Sequence, residues 1–190
     1  MSQSTVDTSP PKSLGKPDTL ARRTRLREFQ AQLLERMQSA RTGAATATNQ
    51  LGVIIGQQRW LIDLKEAGEI VSVGSVSQVP LTQPWFLGLT NIRGNLISVI
   101  DFSRFQGNAP IQIEKEARIV AFGPALAFNS GLLVSRVMGL RNVGEMEEQE
   151  SGSNDSPWAV RTFVDKDGES WMQLSLPLII QEPRFLQIGL

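Results

Sequence analysis

From Leu51 onward the chain falls into short apolar runs, and that cadence limits the folds open to it. LGVIIGQ, RWLIDL, LGLTNI, LISVIDF, ARIVAF, GLLVSRV, WAVRTFV and SWMQLSL are each six or seven residues long. They are rich in Val, Ile, Leu, Phe and Trp and are separated by Gly, Pro, Asn or Asp. Such runs are too short for typical helices and have the length and composition of strands. Short strands at close spacing predict a mainly β architecture, a barrel or a sandwich. Several runs are apolar at nearly every position, as strands covered on both faces are. Two turns are explicit. Gly94-Asn95, between Arg93 and Leu96, predicts a two-residue hairpin loop with glycine supplying the positive φ. Asp165-Lys166-Asp167-Gly168 predicts a second hairpin. The acidic stretch from Gly144 to Pro157 reads as an exposed loop.

Ahead of this lies different material. Residues 1–17 are rich in Ser, Thr, Pro and Lys and predict a disordered tail. Asp18 or Thr19 can cap a helix over residues 18–42, which holds no Gly or Pro from Leu20 to Arg41. Leu26, Phe29, Leu33, Met37 and Ala40 recur at helical spacing and form one apolar stripe. Gly43 closes that segment, and AATATNQ reads as a linker. The N-terminus lacks the apolar h-region of a signal peptide, and no run reaches the roughly 18 apolar residues of a membrane span. A soluble, cytoplasmic protein is expected.

Composition excludes several chemistries. The chain has no cysteine, histidine or tyrosine. Disulfides, thiolate metal sites, cysteine nucleophiles and Ser-His-Asp catalysis are therefore ruled out. The formal net charge is zero, which argues against general nucleic-acid binding, where a basic face must displace counterions. The charge is uneven, however: residues 1–42 carry eight Lys or Arg against four Asp or Glu. A β-barrel that binds nucleic acid through a basic helical arm is thus the alternative reading.

Individual residues weigh against catalysis and metal binding. Asp101 ends an almost unbroken apolar strand, where a carboxylate accepts backbone N–H groups. An enzyme working with Asp101 and Asp63 as paired acids is the rival from another class. Asp165, Asp167 and Gly168 resemble part of a calcium loop but lack its further ligands at the required spacing. Glu145, Glu147, Glu148 and Glu150 form a charge run of the kind that is usually solvated. Trp60 and Trp171 lie inside strand patterns and are expected in the core, and Trp85 is placed to cover the hairpin after it. Arg93 stands at the hairpin corner, where a guanidinium beside open strand edges suits protein recognition.

The hairpin itself carries a resemblance. GLTNIRGNLISVIDF is similar to the signature of the CheW family of chemosensory adaptors, with Gly88, Asn91, Arg93, Gly94, Asp101 and Phe102 at its motif positions. EIVSVGSVSQVPLTQPWFLG resembles the segment leading to that hairpin, and ARIVAFGPALAFNSGLLVSRVMGL a later strand of the family. The resemblance covers residues 47–182 and leaves 183–190 as a C-terminal tail. Three positions depart from the pattern: Ser135 replaces an aspartate, Ala67 a valine, and Leu174-Ser175-Leu176 a Leu-Asp-Leu triplet. The helical extension, together with the divergent C-terminus, makes the chain look closer to the PilI branch, which serves type IV pili and twitching, than to the flagellar adaptor.

This resemblance implies a pair of small five-stranded SH3-like β-barrels with a groove between them, and no catalysis, cofactor or metal. It implies two partners, the regulatory domain of a CheA-type histidine kinase and the signalling tip of a methyl-accepting chemoreceptor. It implies no nucleic acid and no membrane insertion, with the protein placed in membrane-proximal receptor arrays. Carried over residue by residue, the receptor-binding set is Glu69, Ile70, Asn91, Arg93, Gly94, Val134 and Val137.

Overall fold

The eight apolar runs LGVIIGQ to SWMQLSL each become a strand. The structure, a computed structural model, describes residues 49–149 and 156–190. The expected tail at 1–17 and helix at 18–42 lie outside them. In chain order the elements are β1 (Asn49–Ile55), β2 (Gln58–Asp63), β3 (Ala67–Ser72), β4 (Phe86–Ile92), β5 (Asn95–Asp101) and α1 (Phe102–Phe105). There follow β6 (Arg118–Phe122), a 3-10 turn at Pro124–Leu126, β7 (Ser130–Val134), β8 (Arg136–Asn142) and a 3-10 turn at Val143–Glu145. The chain closes with β9 (Glu147–Gln149), β10 (Ala159–Val164), β11 (Ser170–Leu174), α2 (Leu176–Gln181) and α3 (Pro183–Leu186).

The strands form two sheets. One has six strands in the order β8-β1-β2-β11-β10-β9, the other five in the order β3-β6-β7-β5-β4. Pairing is antiparallel except for β11 with β2 and β5 with β7. The sixth strand of the larger sheet, β9, comes from the acidic stretch expected to be loop: Glu147, Glu148 and Gln149 pair with Val164, Phe163 and Thr162. All three of its residues are exposed, so hydrophobicity gave no signal for it. The chain passes between sheets at the β2–β3 corner and again at Ser135, whose N–H donates to the Ile54 carbonyl at 2.8 Å.

The five-stranded sheet closes on itself. Its edges are β3 and β4, and the segment after β3 reaches β4 through Ser77 and Leu89. These two residues exchange N–H···O bonds of 2.8 and 2.9 Å, and Thr90 Oγ1 donates to the Ser75 carbonyl. Gly88 permits this contact. Its φ is +130°, and a Cβ there would stand 2.2 Å from the Ser77 oxygen.

One apolar core lies between the sheets. It takes Leu51, Val53, Trp60 and Ile62 from the first and Val99, Ile119, Leu132 and Val134 from the second. A smaller cluster of Leu61, Phe163 and Trp171 lies on the other face of the six-stranded sheet. Trp60 and Trp171 are core residues, as expected, each 1% exposed. Among the described residues no helix is long and apolar enough to cross a membrane.

Residues 183–190, set apart in the sequence as a tail, pack into this core. Phe185 is 1% exposed and stacks on Trp85 at 5.8 Å, with an edge contact to Phe105 at 5.4 Å. Trp85 thus packs under the C-terminal helix rather than over the hairpin. Removing an aromatic ring from such a packed site costs about 3–5 kcal/mol. Phe185→Ala is therefore expected to lower the urea midpoint sharply, whereas deleting Leu190, which is 80% exposed, should leave it nearly unchanged. Chemical denaturation of the two variants checks this.

Candidate functional site

The hairpin turn was expected at Gly94-Asn95 and lies one residue earlier. Asn95 is already paired with Ile92, so the two-residue loop is Arg93-Gly94. Both have positive φ, +49° and +91°, as the hairpin turn that matches strand twist requires. Asn91 Oδ1 accepts the Gly94 N–H at 2.8 Å and fixes the loop. An arginine in the left-handed region is uncommon and is held there by this geometry.

The turn projects Arg93 toward the opposite edge of the sheet. Its Nε lies 3.1 Å from Glu69 Oε2 on β3, with the arginine side chain 79% and the glutamate 44% exposed. Ile70 beside Glu69 is 43% exposed, and Leu96, just after the turn, is 58% exposed. A charged pair flanked by two uncovered aliphatic side chains is a protein-binding surface in composition. The fold brings Glu69 and Arg93 together, and uses Asn91 and Gly94 to shape the turn. It sends Val134 and Val137 elsewhere. Val134 is fully buried on β7, and Val137 is half-buried on β8 opposite Val53.

Two features escaped the sequence reading. Leu140 on β8 is 62% exposed. Its signal was the continuation of β8 to Asn142, beyond the run GLLVSRV. The other is a cleft of ≈ 700 Å³ between the β1–β2 turn and the α1–β6 connection, lined by Gln57, Gln58, Asn108, Gln112 and Ser135 among others. It lies at the far end of β5 from the Arg93 turn.

The carboxylates singled out in the sequence have structural partners. Asp101 is 1% exposed, with Oδ1 accepting the Arg104 N–H at 3.1 Å and Oδ2 the Ile111 N–H at 2.9 Å. Both oxygens are committed to backbone, so the group caps α1 and pins the following connection. Asp63 Oδ1 accepts the Lys65 N–H at 2.8 Å in the β2–β3 corner. Asp165 accepts the N–H groups of Asp167 and Glu169, which makes the expected hairpin there. Among the described residues no group of three or more metal-ligating side chains is assembled.

The matches to known proteins follow the fold. The profile of the CheW-like domain matches residues 50–184. The chain belongs to the CheW-like domain family. Its sheets match the scaffolding protein TtCheW from Thermoanaerobacter tengcongensis with a TM-score of 0.59 at 19% identity, over 72% of this chain and 94% of that one. The fold is thus that of a CheW scaffold. A curated relative is Protein PilI of Pseudomonas aeruginosa, 25% identical over 103 residues, which is 54% of this chain. The chain spans 57% of that relative's length. CheW-like scaffold proteins are non-catalytic adaptors, in keeping with the uses found here for Asp63 and Asp101.

The corner of this CheW-like domain next to Glu69 contains a raised carboxyl. Glu66 Oε2 accepts the Leu176 N–H at 2.9 Å and so caps α2, a role that Ser175 at the N-cap does not fill. Burial pushes the Glu66 carboxyl above the usual glutamate range, the Leu176 N–H opposes that, and the Asp63 charge adds to it. A carboxyl whose folded pKa is raised stabilises the fold most when protonated. That stability is complete below the ordinary glutamate range and is lost as pH rises through the raised value. Glu66→Gln keeps the acceptor and removes the charge. It should be at least as stable as the parent at pH 7, with the difference vanishing near pH 4. Urea titrations at both values measure it.

Two further substitutions separate binding surface from scaffold. Asp101→Ala orphans one buried and one part-buried N–H group and should cost roughly 2–4 kcal/mol. Arg93→Ala removes an exposed pair and should cost under about 1 kcal/mol. Thermal melts of both variants test the contrast.

Proposed function

We propose that this protein is a non-catalytic chemosensory adaptor that couples the signalling tip of a chemoreceptor to a CheA-type histidine kinase. The pathway is a type IV pilus or twitching system, or a related chemotaxis pathway. Its place is the cytoplasmic side of membrane-proximal receptor arrays, and it needs no cofactor. Family membership supports the adaptor role, and the PilI relative supports the pilus pathway.

The observation that carries the reading is the Arg93–Glu69 pair. The turn holds an arginine 79% exposed on a backbone conformation that most side chains avoid. Solubility alone does not require that placement. In this reading Arg93 offers charge-assisted hydrogen bonds to the receptor tip, Glu69 aims it, and Ile70 adds apolar contact. Asn91 and Gly94 set the turn. Val134 and Val137 act from inside, by fixing β7 and β8. The kinase docks on a separate surface, so both partners bind at once.

The test is calorimetric titration of the chain with the regulatory domain of its cognate kinase, and separately with a receptor-tip fragment. Both should give saturable one-to-one isotherms. Arg93→Glu should weaken the receptor fragment at least tenfold and leave the kinase titration unchanged. Equal loss of both, or of neither, would remove Arg93 from the receptor contact.

A further inference from the structure

Arg141 is held in place by the fold without a counter-charge. Arg59, Arg93, Arg161 and Arg184 each lie within 3.6 Å of a carboxylate oxygen. Arg104 and Arg118 donate to backbone carbonyls, and Arg136 is exposed to solvent. Arg141, on β8, forms no ion pair among the described residues, yet its position is well defined. Its stem packs directly on the β1 backbone at Gly52, where an added Cβ would come within 2.9 Å of Arg141 Cγ and 3.1 Å of a Trp171 ring carbon. Its guanidinium carbon stands 4.9 Å from the centroid of the Trp171 ring.

Asp165 senses the Arg141 charge but does not neutralise it by contact. Its Oδ2 accepts the Trp171 indole N–H at 2.8 Å, and its Oδ1 serves the turn. The Trp171 hydrogen bond, then the Glu169 N–H, hold this carboxyl below the usual aspartate range, and Arg141 contributes at longer range. A carboxylate bonded to the indole N–H enriches the ring in electron density, which strengthens its hold on the stacked cation.

Beside Arg141 is a second unsatisfied group. Gln50 is its cross-strand partner on β1, so the two side chains share a sheet face. Gln50 is 5% exposed, and its Oε1 has no hydrogen-bond partner. The Arg141 Nε is likewise buried and unpartnered. Native folds rarely leave two such atoms unmet. Gly139, two residues before Arg141, has nothing within 4 Å of where a Cβ would stand, so the face is open there.

We propose that this corner of the six-stranded sheet is a binding site for a single carboxylate. Arg141 donates to it through its two terminal nitrogens, a fork geometry that carboxylates fit. Gln50 donates through Nε2 once its carboxamide is turned over, a rotation that exchanges two nearly isosteric ends. Stacking on Trp171 leaves the edge of the guanidinium free for the ligand. A monoanion suits the site better than a phosphate. Of the other arginines on this face, Arg59 and Arg161 are engaged with Glu169 and Glu148, and exposed Arg136 lies toward the opposite end of β8, so one positive charge is on offer at this corner. The carboxylate is either an acidic side chain of a docking protein or a small free acid. This site is separate from the Arg93 surface and does not depend on the adaptor reading.

The test is a two-dimensional proton–nitrogen NMR titration of the full chain with sodium acetate, against sodium chloride at equal ionic strength. The four tryptophan indole signals are resolvable probes, with Trp171 assigned through Trp171→Phe. Acetate should move the Trp171 indole and Gln50 carboxamide signals saturably, and chloride should not. Arg141→Met, which keeps an unbranched stem, should weaken acetate at least tenfold. If that variant disturbs the other indoles, Arg141→Lys replaces it, since lysine keeps the charge and lacks the fork. It should weaken acetate at least fivefold. A blocked Gly-Glu-Gly peptide binding tenfold tighter than acetate identifies the source as a protein side chain, and equal affinity identifies a small acid. Linear, unsaturable shifts, or equal shifts in the folded Arg141 variant, overturn the site.

Discussion

Sheet edges carry unmet N–H and C=O groups, and the five-stranded sheet answers that constraint by turning its two edges toward each other. Ser77 and Leu89 exchange backbone bonds across the gap, and Gly88 makes the approach sterically open. Glu69 and Arg93 add an ion pair over the same gap. The candidate surface is therefore the seam of the closure. A partner that engages Arg93 touches both ends of the sheet at once.

Much of this architecture was legible because buried strands have to be apolar. All eight runs read from the sequence became strands, since β1, β7 and the Trp60–Ile62 stretch of β2 are buried and hold no charge. What escaped notice obeyed other rules. The acidic β9 is exposed throughout and is a strand only because β10 offers it an edge. β3 is mostly exposed too, so its residues AGEIVS showed no strong period. The Arg93-Gly94 loop was misplaced by one residue. Asn-Gly type preferences favour small residues at positive φ, and here the tertiary structure holds an arginine there. Phe185 lies after two prolines and among polar residues, so nothing local announced its burial.

The candidate site was half visible. Glu69 and Arg93 lie 24 positions apart in the chain, and only the closure of the sheet makes them neighbours. The motif residues Asn91, Gly94 and Asp101 serve the hairpin and its exit. Asn91 bonds the turn, and Asp101 gathers the helix start and the Ile111 N–H. A motif can thus mark a functional surface while most of its members hold the backbone that presents one side chain.

The two arginines that matter here illustrate opposite uses of charge. Arg93 is almost fully solvated, so its pair with Glu69 adds little stability and its worth lies in geometry and steering. Arg141 has a buried Nε and an indole beneath it, so a carboxylate reaching it meets a desolvated, pre-ordered cation, and desolvation strengthens such a contact. The chain lacks histidine and cysteine, the usual switches near neutrality. What its surface offers a partner therefore rests on where fixed charges are held, and so on the packing that holds them: Gly52 and Trp171 under Arg141, Asn91 and Gly94 under Arg93. A change in that packing shifts the charge itself in space, with no proton moved.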